Sequence, residues 1–275
     1  MQYLLDQRFR SSVGEMAWGV TGEGPDVVLV HGTPASSVVW EGVIARLRDR
    51  YRMHFLDLPG YGASEKFEGQ EVRLRAFARA LREFLAAREL QRPWLVGHDF
   101  GAATVMGAHL IEGCPVAGLV VADGVLLSPW GTPFSRHVNE HEAVFAAVPD
   151  YIHRAQLAAH LATAVARPMP AELETALIAP WTGEIGQPAY YRQVAQYDYA
   201  YTEWLEARYP NVAVPVTVLW GEQDQWVAPD EGRRFAGMVP GAELRWLPDA
   251  GHFSMVDTPG LFARELGDAL QAQGT

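Results

Sequence analysis

Residues 94–103 read Trp94-Leu95-Val96-Gly97-His98-Asp99-Phe100-Gly101-Ala102-Ala103. An apolar β-rich run enters this stretch, and small residues suited to a helix leave it. The pattern Gly-x-nucleophile-x-Gly marks a sharp strand-to-helix turn that lifts its central side chain above the end of a sheet. The central residue here is Asp99, and Gly-x-Ser-x-Gly occurs nowhere in the chain. A carboxylate attacking an ester would give a mixed anhydride. One attacking an sp³ carbon gives an ordinary alkyl ester, which water can cleave. The plainer reading of the same residue is an N-cap on the following helix.

Outward from the elbow, similar runs recur: Val27–Val30 before His31-Gly32, Met53–Leu56 before Asp57, Gly118–Val121 before Asp123, and Val216–Trp220 before Gly221. Short, valine-rich and apolar on both faces, they predict a parallel sheet. Helical stretches such as Leu74–Leu90 alternate with them, so the fold class is α/β. Phe9–Val13 and Glu15–Val20 around Gly14 predict an antiparallel hairpin at one edge. The rhythm stops between Ser128 and Tyr209, where helical patterning, prolines and aromatics take over. The expected organisation is a core of residues 1–127 and 211–275 with a helical cap, 128–210, inserted after the sixth strand.

Three companions of Asp99 fall at ends of these strands, where open α/β sheets place their sites. His31-Gly32-Thr33-Pro34 can supply a backbone N–H which, with that of Phe100, forms an oxyanion hole. Gly221-Glu222-Gln223-Asp224 puts a carboxylate after a late strand, and His252 follows 28 residues on. The order nucleophile, acid, histidine suits this architecture. Asp123 is a second candidate for the acid, with a loop cap as its plainer role.

The segments HGTPASS, DLPGYGAS, GHDFGA, GEQDQW and AGHF, in that order, resemble the α/β-hydrolase superfamily, and within it the aspartate-nucleophile branch of epoxide hydrolases and haloalkane dehalogenases. The resemblance spans Val27 to Phe253 and implies the α/β-hydrolase fold, the triad Asp99, Asp224 and His252, and an oxyanion hole at Thr33 and Phe100. It implies that Asp99 forms a covalent alkyl ester, hydrolysed by a water that His252 activates.

The leaving group divides the branch. Epoxide opening calls for O–H donors, and the segment Gln187–Arg192 resembles the family's Asn-Trp-Tyr-Arg, which points to Tyr191, with Tyr151 as the partner. Tyr190, Tyr197 and Tyr201 read instead as a packing stripe on one helix face. Dehalogenases usually carry Trp after the nucleophile, where this chain has Phe100. Trp130, Trp181, Trp204 and Trp226 keep that second reading open. An epoxide hydrolase is expected, with a dehalogenase as alternative; a small-molecule receptor and an oxidative enzyme on the same scaffold remain further readings.

Composition narrows the partners. Lys and Arg number 22 against 33 Asp and Glu, a formal charge of −11, which disfavours nucleic acid and anionic membranes. One cysteine, Cys114, excludes an intrachain disulfide. No apolar run approaches the roughly 20 residues of a membrane span, and Met1–Asp6 lacks signal-peptide character. A cytoplasmic monomer or homodimer acting on a small apolar substrate is expected. No nucleotide or phosphate motif occurs, so no cofactor is called. His137 and His141, with Glu140 and Glu142 nearby, are spaced for a metal but read as a solvated surface. His31 and His98 read as packing residues.

Overall fold

The computed structural model describes residues 5–271. Eight strands form one sheet: β1 (Gln7–Ser11), β2 (Gly14–Thr21), β3 (Asp26–Val30), β4 (Arg52–Leu56), β5 (Trp94–His98), β6 (Gly118–Ala122), β7 (Val216–Gly221) and β8 (Glu243–Leu247). Their order is β1-β2-β4-β3-β5-β6-β7-β8. The first two strands are antiparallel and the other six run parallel. The edge hairpin therefore forms, with Ser11 facing Gly14 across the turn. β5, β6 and β7 are buried along their whole length, which is why their sequences are apolar without alternation.

Helices α1 (Glu41–Leu47), α2 (Leu74–Ala87) and α3 (Phe100–Leu110) belong to the first half of the sheet. Helix α2 turns one apolar face, including Phe77, Leu81 and Phe84, to the core and packs on α3. Between β6 and β7 come α4 (Pro133–Glu140), α5 (Glu142–Ala146), α6 (Asp150–Ala162), α7 (Ala171–Ile178), α8 (Gly183–Ala195) and α9 (Tyr199–Glu206), and no strand. Helices α10 (Pro229–Met238), α11 (Ser254–Asp257) and α12 (Pro259–Gln271) complete the chain, and α12 packs on α1. Among the described residues no helix is long and apolar enough to cross a membrane.

Topology locates the crevice. From β3 the chain steps outward to β4, then returns to pair β5 on the other flank of β3. Strand order thus reverses between β3 and β5, and open α/β sheets bind ligands at the carboxyl ends flanking such a reversal. The loop holding Thr33 leaves β3 there, and Asp99 leaves β5.

Two glycines permit the elbow. A Cβ on Gly97 would lie 2.2 Å from the Gly101 carbonyl oxygen, and one on Gly101 would lie 2.1 Å from that of Val30. Neither obstacle is a side chain that can swing aside. Gly101→Ala is expected to cost about 1–3 kcal/mol, the usual scale of forced overpacking. A lowered urea midpoint at an unchanged slope would register it.

Candidate active site

Asp99 sits between β5 and α3 with φ 52° and ψ −116°, a conformation that non-glycine residues rarely hold. Such strain costs about 1–3 kcal/mol and persists only where the surroundings enforce it. Its side chain caps no N–H of α3, so the N-cap reading does not hold. Instead Oδ1 accepts a hydrogen bond from the Thr33 N–H at 2.6 Å. Phe100 opens α3, and the leading N–H groups of a helix have no partner within it. Of the two backbone donors named from the sequence, the Thr33 N–H is on the carboxylate and the Phe100 N–H belongs to the next residue in the chain.

On its other side, Asp99 Oδ2 lies 3.5 Å from His252 Nε2. His252 Nδ1 is 3.0 Å from Asp224 Oδ2, and Asp224 Oδ1 accepts from the backbone N–H groups of Trp226 at 2.8 Å and Val227 at 3.0 Å. All three side chains are buried. Burial alone would lower the imidazole's pKa, but Asp224 and then Asp99 outweigh it and push the group up to about 10. Both neighbouring carboxylates thus favour the protonated imidazole.

Asp123 is differently engaged. Its Oδ1 accepts from the Gly221 N–H at 2.7 Å, and the Ser254 hydroxyl donates to Oδ2. Burial, then the charge of Asp224, pushes its carboxyl well above the usual range. It ties β6 to β7 and α11, while Asp224 is the carboxylate bonded to the histidine. His31 donates from Nδ1 to the Gly32 carbonyl and accepts the Leu58 N–H at Nε2, and burial lowers its pKa. His98 holds the His252 carbonyl from Nε2 at 2.9 Å.

A cavity lies against Asp99 and Phe100. Its walls include Pro34, Val125, Trp130, Phe134, Tyr190 and Val194, so they are largely apolar. His160 stacks on Trp226 at 4.3 Å, and Trp226 in turn covers His252 at 4.9 Å. Burial, then the neighbouring His252 charge, lowers His160 to about 4, so it contributes a neutral ring.

The tyrosine expectations need correction. Tyr151 is 71% exposed on α6 and lies outside this cavity. Tyr191 is buried, but its hydroxyl lies 2.9 Å from His153 Nδ1 and 3.2 Å from Gln156 Oε1. One residue turns about 100° around a helix, and the phase of α8 directs Tyr190 to the cavity in its place. Tyr190 makes no hydrogen bond through its hydroxyl to any described residue, and burial pushes its pKa up. Tyr197 also lines the cavity, its hydroxyl donating to Ser135 Oγ. The stripe Tyr190, Tyr197 and Tyr201 is therefore partly a cavity wall. Sequence reading missed Tyr190, Gln193 and His160 as wall residues. For the first, the i, i+7 spacing with Val194 was the available signal.

The tryptophans are committed elsewhere. Trp130 donates to Thr202 Oγ1, Trp181 to the Pro34 carbonyl and Trp226 to Thr163 Oγ1, while Trp204 lies 45% exposed. One group among the described residues, His137, Glu140 and His141, brings ligand atoms within 4.8 Å of one another. All three are exposed and none lines the cavity.

Residues 27–265 match the family model described as Alpha/beta hydrolase family. A crystal structure of an alpha/beta hydrolase fold protein from Burkholderia ambifaria superposes with a TM-score of 0.93, at 38% identity over 97% of this chain and 99% of that one. An uncharacterized protein of Mycobacterium tuberculosis is 24% identical over 93% of this chain and 78% of its own length. Haloalkane dehalogenase 2 of the same organism is 32% identical over 115 residues, 42% of this chain and 40% of that one. With its strand order, its elbow and a match that runs from β3 to β8, the chain belongs to the alpha/beta hydrolase family.

Proposed function

We propose that this protein is an aspartate-nucleophile hydrolase that opens an epoxide on a small, largely apolar substrate. The observation that carries the reading is the pairing at Asp99: one oxygen held by the Thr33 N–H, the other facing a histidine bonded to Asp224. A serine esterase needs a hydroxyl at this elbow, and Asp99 supplies a carboxylate.

In this mechanism Asp99 Oδ2 attacks a ring carbon and the C–O bond breaks towards the ring oxygen. The Tyr190 hydroxyl protonates that oxygen. Esterification removes the charge on Asp99, one of the groups that raise the His252 pKa. The imidazolium then gives up a proton, which passes to the Tyr190 phenolate and restores its hydroxyl, and is neutral when a base is required. It takes a proton from water, whose oxygen attacks the Asp99 carboxyl carbon. The oxyanion rests on the N–H groups of Thr33 and Phe100, and collapse releases the diol with His252 again protonated. An oxyanion donor of this kind is worth about 10²–10³-fold.

A haloalkane substrate is the second reading. The dehalogenase relative favours it, and the committed indole N–H groups of Trp130, Trp181 and Trp226 count against it.

The mechanism predicts the origin of the new oxygen. With enzyme in excess over an epoxide in H₂¹⁸O, the first-turnover diol should carry unlabelled oxygen from Asp99, and the label should appear in the peptide containing Asp99. Label entering the diol directly in that turnover would show that water, not the carboxylate, attacks the substrate.

A further inference from the structure

Gln193 lies on α8, is buried and lines the cavity that holds Asp99. Its Oε1 accepts two hydrogen bonds, from the Tyr61 hydroxyl at 2.7 Å and the Thr33 hydroxyl at 2.8 Å. Its Nε2 has no partner among the described residues. Leaving a buried donor unpaired costs what a lost hydrogen bond does, so native interiors rarely tolerate one without a use. With both hydroxyls on Oε1, the NH₂ end is left unpartnered on a residue that lines the cavity.

Three further features bear on its use. Thr33 joins the two ends of the site, because its backbone N–H is on Asp99 and its hydroxyl is on Gln193. The amide is therefore positioned relative to the nucleophile through a single residue. The indole N–H groups of Trp130, Trp181 and Trp226 are already bonded. Moreover, Gln193 lies three residues after Tyr190 on α8, and side chains at that spacing are neighbours on a helix face.

We propose that the Gln193 amide is the N–H donor for the group that leaves the substrate carbon. As the carbon–oxygen bond to Asp99 forms and the bond to the leaving atom breaks, that atom takes the electron pair. The Nε2 hydrogens receive the developing negative charge. The chemistry served is an oxygen or a halogen departing as an anion, and Tyr61 and Thr33 are positioning residues that hold the amide. This role rests on the reading of Asp99 as nucleophile, and it adds an N–H donor beside the Tyr190 hydroxyl, where the tryptophan N–H groups are already bonded.

Bromide is a suitable probe, because it needs no bond making. In Asp99→Asn the repelling charge is gone, and Trp130 and Trp226 in the cavity wall report occupancy by their fluorescence. Potassium bromide should quench that emission saturably in Asp99→Asn. Adding Gln193→Leu should weaken the apparent Kd at least tenfold. Gln193→Glu should do the same while keeping an oxygen for the Tyr61 and Thr33 hydroxyls, which guards against loss of fold. Unchanged affinity in these double variants, or no saturable quenching in Asp99→Asn, would overturn the proposal.

A kinetic arm separates donation from propping and identifies the leaving atom. In otherwise wild-type protein, Gln193→Leu should slow the formation of the Asp99 adduct at least tenfold, leaving its hydrolysis within twofold. The class of substrate affected, epoxides or bromoalkanes, names the atom received. Equal slowing of both steps would mean that Gln193 merely supports Thr33, and would sink the donor role. Saturable, Gln193-dependent bromide binding without an adduct on Asp99 would instead reject the nucleophile reading and leave the anion site standing.

Discussion

Asp99→Asn is expected to leave the fold intact and to lower hydrolysis by about 10⁴-fold or more, the scale on which losing a covalent nucleophile acts. Asparagine is nearly isosteric, and its amide oxygen can still accept the Thr33 N–H that now reaches Oδ1 at 2.6 Å. What disappears is the attacking oxygen and its charge. The loss of charge has its own signature at His252, whose pKa is held at about 10 by Asp224 and Asp99 against the effect of burial. Without Asp99 that pKa falls, which a titration of the ring nitrogens by NMR would read directly.

Stability should follow with a defined sign. A histidine whose pKa is raised on folding stabilises the native state fully below its unfolded value of about 6.5. The contribution is lost as pH rises through the folded value, here about 10. In Asp99→Asn the upper end of that window moves down, so denaturant midpoints of the two proteins should respond differently between those limits. An active Asp99→Asn, or one with an unshifted His252, would remove Asp99 from the centre of the mechanism.

His252→Gln is expected to separate the two half-reactions. Attack by Asp99 needs no base, so the alkyl ester should still form, whereas losing general-base assistance slows its hydrolysis by about 10²–10⁴-fold. One equivalent of epoxide should therefore be consumed in a burst, followed by near-arrest. Intact-protein mass should rise by that of the substrate for an epoxide, and peptide mapping should place the adduct on Asp99. Asp224 remains anchored in this variant by the Trp226 and Val227 N–H groups, so the acid loop is not expected to collapse. Steady turnover without an accumulating adduct would place the base elsewhere.

Much of this molecule was legible in one dimension because its parts are locally encoded. Strands buried on both faces must be apolar throughout, and β5, β6 and β7 announce themselves that way. The elbow is legible because Gly97 and Gly101 sit where any Cβ would strike backbone within 2.2 Å. Chain order then suffices to pair Asp99 with Asp224 and His252, since parallel strands deliver their C-terminal loops to one edge.

The walls of the site were beyond that reach. Tyr190 and Tyr191 are chemically identical neighbours, and only the face that α8 buries decides which one meets the cavity and which meets His153. Tyr151 is directed to solvent by α6 in the same way. Asp123 and Asp224 both end strands, and their roles part because the Gly221 N–H and Ser254 occupy the first while His252 bonds the second. Gln193 carried no motif: its free Nε2 exists only because Tyr61 and Thr33, 132 and 160 residues away in sequence, converge on its oxygen. Sequence alone determined the sheet, the elbow and the chain order of Asp99, Asp224 and His252, because backbone sterics and strand burial act over a few residues. Tertiary structure decided which side chains wall the cavity and what shape it has, because these depend on the rotational phase of helices packed from distant parts of the chain.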